Sequence, residues 1–416
     1  MSSFRFLHAA DIHLDSPLRG LSRYDGLPHE DIRRATRTAL DTLVTTAITQ
    51  NVDFLIIAGD LYDGDWQDAS TGLVMARALG RLIDAGIPVF ILRGNHDAAS
   101  VILKNLPLPP QITLFGSKKA ETHRLPQLGV SLHGHSFENR HVPHDLTADY
   151  PAPTPGDFNI GVLHTSLGGY EGHEPYAPTS PEALIAKHYD YWALGHIHER
   201  AELHQHPHIV YPGVLQGRHI RETGPKGATL VTVENHRVTH LEHLPCDTIR
   251  WARTTTDCTA LTTQDELHAA IRQTLTQTTT QADGRFLIIR LTLTGATPLH
   301  GTLLAHQATL REEIRQIAAM IPGTPGIEKI ILDTTTPKAA RPIEDDLTQT
   351  LADALNDPAL LTLLEAHLAS FANTLPPETQ DTNTQTPLAL ARTGNWQALL
   401  AQAADALHAR LNEGRP

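Results

Sequence analysis

Five apolar runs in this sequence end in residue types that bind metal ions. Asp11-Ile-His13 closes "FRFLHAAD", Gly59-Asp60 closes "FLIIA", and Gly94-Asn95-His96-Asp97 follows "VFILR". His164 closes "NIGVLH", and Gly195-His196-Ile-His198 closes "YWAL". Short apolar runs of this kind suit strands buried on both faces, and in an α/β sheet ligands bind at the carboxyl ends of the strands. A lone Gly-Asp after a strand is a common turn, and a lone strand-end histidine more often makes only a hydrogen bond. Five such ends in order form a constellation rather than a set of turns. In "GHIH", a strand that persisted would point His196 and His198 to the same side, because side chains alternate with a period of two.

The segments between these runs fix the class. Residues 30–48 carry Ile32, Ala35, Ala39, Leu43 and Ala47 at helical spacing. A second helix spans about 69–85 and stops at Gly86, with Pro88 beyond it. Later strands are expected at 130–136, 159–165, 191–196, 208–213 and 228–234. The pattern is α/β at first and increasingly all-strand afterwards, which suits a two-sheet β-sandwich flanked by helices over residues 1–245. Residues 246–340 read as a small β-α-β-α-β domain. Its strands fall at 248–257, 285–293 and 327–333, with a Thr263-x-x-Glu266 capping box before the first helix and a second helix over 303–321. Residues 341–416 form a helical C-terminal region, broken by a linker-like Thr/Gln/Pro-rich stretch at 374–387. Trp396, Leu399, Leu400, Ala403, Leu407 and Leu411 make one apolar stripe, which suits either docking on a partner or packing on its own domain.

Composition narrows the setting. The net charge of −13 over 416 residues leaves no globally basic surface, although local patches decide nucleic-acid binding. Cys246 and Cys258 have no metal-type spacing and read as free thiols of a reducing compartment. The N-terminus has no apolar targeting region, and no apolar run approaches the ~18 residues of a membrane span. A cytoplasmic protein with no membrane association is the expectation.

The ligand set is carboxylate, amide oxygen and imidazole without thiolate, which suits Mn, Fe, Zn or Mg. Asp11, His13, Asp60, Asn95, His164, His196 and His198 are too many ligands for one ion. They suit two, with Asp60 as the bridge. Two divalent ions roughly 3.5–4 Å apart clamp a phosphoryl group and lower the pKa of a bound water toward neutrality. The implied chemistry is attack of hydroxide on phosphorus in line with the leaving oxygen. His96 follows a ligand and is placed to protonate the leaving alkoxide. Asp63, in "GDLYD", reads either as the carboxylate that orients His96 or as a turn aspartate.

The ordered motifs D-x-H, G-D-x-x-D, G-N-H-D, a lone His and G-H-x-H resemble the calcineurin-like metallophosphoesterases over about residues 4–245. "ADIHLDSPLRGL", "GDLYDGDW", "HTSLGGYEGHEPYAP" and "LQGRHIRETGPKG" resemble the YhaO-like branch of the SbcD-type DNA repair exonucleases. The β-α-β-α-β segment resembles the DNA-binding capping domain of that family. The resemblance implies that Asp11, His13, Asp60 and His198 hold one metal, most often manganese. It places Asp60, Asn95, His164 and His196 on the other, with His96 as the acid. Some members carry a histidine where Asp63 stands, which leaves the role of Asp63 open.

The core motifs set the reaction class, since cyclic-nucleotide phosphodiesterases and protein phosphatases share them. DNA is favoured by the capping-type domain, by the family-specific phrasing, and by Arg218, Arg221 and Lys226 in the 215–227 loop, which suit backbone phosphates. That loop reads equally as a solvated hairpin. A non-catalytic scaffold would have no need of seven aligned ligands. The resemblance also implies an SMC-like coiled-coil ATPase partner of the SbcC or YhaN kind, and a homodimer for which the 30–48 helix is a candidate surface. Of the remaining polar features, "HQHPH" (204–208) reads first as a hairpin, and His133 and His135 read first as structural. Tyr170, His173 and Tyr176 form a loop suited to stacking on bases.

Overall fold

The computed structural model describes residues 3–16, 29–63, 69–99, 109–167, 176–337 and 387–413, with isolated positions between 353 and 367. Contacts divide the chain into two compact units, Met1–Trp251 and Ala252–Pro416.

The first unit is built on two six-stranded sheets. Strands β1 (Ser3–Ala9), β2 (Phe54–Ala58), β3 (Val89–Leu92) and β4 (Ile112–Leu114) lie parallel in that order. Helices α1 (His29–Thr49) and α2 (Ala69–Asp84) make the first two crossovers. Antiparallel β11 (Gly227–Glu234) and β12 (Arg237–Pro245) extend this sheet beyond β1. The second sheet takes β5 (Glu121–Leu125), β6 (Val130–Gly134), β7 (Phe158–His164), β8 (Tyr191–Gly195), β10 (His208–Tyr211) and β9 (Ala201–Gln205), in that spatial order. The short helix α3 (Pro181–Ile185) precedes β8 and is capped by Ser180.

Burial explains the composition of the strands. All five residues of β2 are buried, because the strand has helices on one face and the second sheet on the other. Leu55 and Ile57 join a core with Leu43, Val44 and Leu79 of the helices. Phe54 and Ile56 face the layer between the sheets, where Phe4, Phe6, Phe90, Phe115 and Phe158 also meet. Phe6 and Phe54 stack at 4.9 Å between ring centroids. This layer aligns the carboxyl ends of β1, β2, β3, β7 and β8, the strands that carry the metal-binding residue types.

Strands β4, β5, β9 and β12 have no counterpart in the sequence reading. All four lie at a sheet edge; β4 is only three residues long, and in β5, β9 and β12 half-exposed residues and charges replace the apolar run. "HQHPH" forms the turn of the β9–β10 hairpin, where His204 Nδ1 donates to the Pro207 carbonyl at 2.8 Å. His133 is held by Thr122 and Asn159, and His135 by the Ser117 carbonyl.

In the second unit β13 (Ile249–Asp257, entering from the first), β14 (Phe286–Ala296) and β15 (Gly326–Thr335) form a three-stranded sheet. Helix α4 (Gln264–Thr280) starts at the capping box of Thr263 and Glu266. The next helical stretch is two helices, α5 (His300–Ala305) and α6 (Gln307–Ala319), meeting at a non-helical His306. After α7 (Pro387–Arg392) comes α8 (Trp396–Glu413), which packs on α5 of the same unit. Asp405 of α8 lies 3.5 Å from His300 Nε2. The linker-like stretch lies outside the described residues up to Pro387. Both cysteines are free and buried. Among the described residues no helix is long and apolar enough to cross a membrane.

His8 of β1 ties the sheets together. Its Nδ1 lies 3.0 Å from the Tyr191 hydroxyl and its Nε2 3.1 Å from the Leu194 carbonyl. Burial pulls its pKa from 6.5 down to about 3, against the pull of the Leu194 carbonyl. The unfolded chain therefore holds one more proton than the folded one between those pH values. Stability is full above pH 6.5 and falls by about 1.4 kcal/mol per pH unit as the medium is acidified through this window. We expect the fall in Tm between pH 6.5 and 4 to be shallower in His8→Gln than in the parent; an unchanged slope would refute this role.

Candidate metal centre

Three glycines make the room for the centre. A Cβ on Gly59 would collide with the His164 ring, and one on Gly94 with the Asp60 carboxylate. One on Gly195 would collide with the Ala58 carbonyl and stand 2.9 Å from His164 Nδ1. The glycine before each of Asp60, Asn95 and His196 thus lets three backbones close around one imidazole. His164 is fully buried, and its Nδ1 donates to the Ala58 carbonyl at 2.9 Å. That bond leaves Nε2 with its lone pair.

The ligand residues stand on unusual backbone. Asp11, His13, Asp60 and His196 have φ of 50°, 45°, 53° and 101°. Asp and His are among the side chains that tolerate the left-handed region best, at a cost of order 1–3 kcal/mol each. A ladder of backbone bonds holds them there: Asp11 N–H to the Gly59 carbonyl, His13 N–H to that of Asp60, and Leu14 N–H to that of Leu61. The Asp11 carboxylate also accepts from the His196 N–H at 3.0 Å. Strand β8 ends at Gly195, so the same-side geometry expected for His196 and His198 does not persist. The turn sends the two rings to different clusters.

One cluster is Asp11, His13 and His198, and a second is Asp60, His164 and His196; within each, the candidate ligand atoms lie within 4.8 Å of one another. Asp60 Oδ2 lies 3.4 Å from His164 Nε2 and 3.9 Å from His13 Nε2, between the clusters. Asn95 Oδ1 stands 3.0 Å from His164 Nε2. All seven ligand candidates of the sequence are therefore in one place.

The donor atoms fit divalent cations. His164 Nε2 and the Asn95 oxygen are two acceptors facing each other. His198 Nδ1 donates to Glu222 at 2.6 Å, so its Nε2 carries a lone pair, yet it faces His13 Nε2 at 3.3 Å. Facing lone pairs call for a positive charge between them. Burial disfavours a charged His164, but Asp60 and Asp11 outweigh it and raise its pKa to about 9, so that without an ion a proton sits on Nε2 where a divalent cation would displace it. Burial likewise opposes an ionised Asp60, but His164 and His13 hold it well below the carboxylate range. When bound, two such ions would act as Lewis acids and make a water acidic enough to supply hydroxide near neutral pH.

A third group, His13, Asp63 and His96, has a different construction. His96 Nδ1 donates to Asp63 Oδ1 at 2.9 Å, and Asp63 Oδ2 accepts from Ser16 at 2.7 Å. Burial lowers the pKa of His96, but the bond to Asp63 and the charge of Asp60 more than offset it, so the net shift is upward. Asp63 thus stands where an orienting carboxylate would.

Two carboxylates had no role assigned from the sequence, Asp97 of the G-N-H-D motif and Glu222. Buried Asp97 accepts from the N–H groups of Leu61, Tyr62 and Gly94, each at 3.1 Å, and so fixes two ligand loops together. Glu222 orients His198, in the manner of a metal-ligating histidine with a carboxylate behind it. Its place inside the 215–227 motif was the available signal. That loop is not a solvated hairpin. Arg218 lies between Asp63 and Glu222, at 3.8 and 3.7 Å, and donates to Ser16 at 3.1 Å. Lys226 is only 8% exposed, so its ammonium is not offered to a backbone phosphate as expected. Arg221 is exposed. Tyr176 packs on the His196 ring at 5.2 Å, while Tyr170 and His173 lie outside the described residues.

Comparison with known proteins agrees with this geometry. Residues 4–200 match the calcineurin-like phosphoesterase family, and residues 251–335 match the middle domain of metallophosphoesterase YhaO. The metallophosphoesterase YhaO of Bacillus subtilis is 33% identical over 316 residues, which is 75% of this chain and 76% of that protein. The chain belongs to the calcineurin-like metallophosphoesterases. As a member it is a phosphoesterase hydrolase with a site suited to two metal ions. The DNA double-strand break repair proteins Mre11 of Methanopyrus kandleri and Aeropyrum pernix are 24% and 28% identical over 57% and 54% of this chain. The alignments span 52% and 57% of those proteins, about half their length.

Three outcomes follow for a metallophosphoesterase built this way. His96→Ala should retain both ions by elemental analysis and lose at least about 100-fold in phosphodiester turnover; loss of an ion would overturn its assignment as the acid. Asp63→Asn removes what raises the His96 pKa, so the alkaline limb of the pH–rate profile should move to lower pH. Glu222→Gln should weaken divalent-ion affinity about 10–100-fold in a calorimetric titration.

Proposed function

We propose that this metallophosphoesterase is a DNA exonuclease of DNA repair, the nuclease subunit of an SMC-like coiled-coil ATPase complex. The observation that carries the choice of DNA is the likeness to two Mre11 proteins, whose names give DNA double-strand break repair. The second unit supports it by matching the middle domain of YhaO, and serves in this reading as a DNA-binding cap. We assign manganese to both metal positions, ahead of magnesium, iron and zinc.

In the proposed reaction the residues divide the work. Asp11, His13, Asp60 and His198 hold one ion; Asp60, Asn95, His164 and His196 hold the other. His96 has Nδ1 committed to Asp63, so the proton it gives the leaving 3′ or 5′ alkoxide is the one on Nε2. Arg218 spans the carboxylates behind His96 and His198 and keeps both charged. Arg221, exposed on the same loop, is the remaining candidate for a backbone phosphate. A charge of −13 makes DNA affinity modest and salt-sensitive, which a partner ATPase would offset. We extend the proposal to a homodimer formed through α1 and to a cytoplasmic location.

End-labelled single- and double-stranded DNA digested beside cyclic nucleotides, with manganese, tests the reading. The proposal expects mononucleotides or short products from DNA and little turnover of cyclic nucleotides. Good cyclic-nucleotide turnover with intact DNA would replace it with a small-molecule phosphodiesterase.

A further inference from the structure

A row of polar side chains crosses the first sheet of the sandwich. His8 pairs with Thr229 in the β1–β11 ladder, and Thr229 with His243 in the β11–β12 ladder. Residues directly opposite in a ladder share a face. His8 bonds Tyr191 and Leu194 of the second sheet, so that face lies between the sheets. His8 is satisfied at both nitrogens. Thr229 Oγ1 and both ring nitrogens of His243 are shut from solvent with no hydrogen-bond partner among the described residues.

Positive charge gathers at the same place. Arg200 follows His198 by two residues, and its Nε is also buried without a partner among the described residues. Its charge acts on both the Tyr191 hydroxyl and the His243 ring. Lys226 and Arg250 act on His243 as well. Arg250 is answered by Asp247, which accepts from Nε and Nη2 at 2.9 and 3.0 Å. Lys226 is buried, with Glu222, Glu199 and Asp247 as its neighbouring carboxylates, none of them in an ion pair with it among the described residues. Glu222 is already held by His198 and Arg218.

Buried polar groups without partners cost free energy, and water filling the space would leave the cations unneutralised. A guanidinium with an unpartnered Nε–H, a hydroxyl and an imidazole are groups that hold a tetrahedral oxyanion. We infer that Arg200, Thr229 and His243, with Lys226 supplying further charge, form a binding pocket for a small oxyanion of the phosphate class. The pocket shares no residue with the metal clusters, and the inference does not depend on which phosphodiester the centre cleaves.

The test uses the full chain loaded with magnesium and inorganic phosphate as the probe, against chloride at matched ionic strength. Two signals are read: Tm, and the ring resonances of His243 in histidine-labelled protein, assigned with His243→Gln. Phosphate should raise Tm where chloride does not and should shift the His243 resonances. Arg200→Met should weaken the His243 response at least about tenfold, and Thr229→Val, nearly the same in shape, gives a second measure should the arginine variant not fold. A Tm rise that leaves the His243 resonances in place would locate phosphate at the metal centre and overturn the pocket. So would equal effects of chloride, or a response undiminished in both variants.

Discussion

The structure turns on the packing of one imidazole. His164 is enclosed by the backbones of three loops, each of which can approach because it begins with glycine. Its bond to the Ala58 carbonyl fixes the ring and reserves Nε2 for the centre. Asp60, Asn95 and His196 each follow one of those glycines directly, so the position of three candidate ligands depends on how closely the ring is wrapped. The inter-sheet layer of phenylalanines supports the arrangement from below by keeping the strand ends level.

Around that centre the charges are arranged in opposed pairs. Asp63 stands behind His96 and Glu222 behind His198, and Arg218 lies between the two carboxylates. One cation therefore borders both the carboxylate behind His96 and the carboxylate behind His198. An arginine that looked from its sequence neighbours like a surface contact is an internal strut.

The strands of the sandwich and the seven candidate ligands were legible because apolar runs followed by Asp, Asn and His leave a strong local signature. The edge strands were not, since β5 and β9 have no buried residue and carry few apolar side chains. Glu222 was hidden for another reason: its motif marked the loop, but what defines its role is a bond to His198, 24 positions away. Arg218 reaches Ser16 across 202 positions. The separate destinations of His196 and His198 depend on a positive φ at a histidine, a conformation that residue spacing does not encode.

The left-handed backbone at Asp11, His13, Asp60 and His196 has a bearing on how ions come and go. Its bends are held by hydrogen bonds within the protein: main-chain bonds from Asp11, His13 and Leu14, and the bond from the His196 N–H to the Asp11 carboxylate. A receptor already in its bound shape spends little of its affinity on rearrangement. Ion exchange can then proceed as a change of occupant in a fixed frame, and the frame outlasts each occupant.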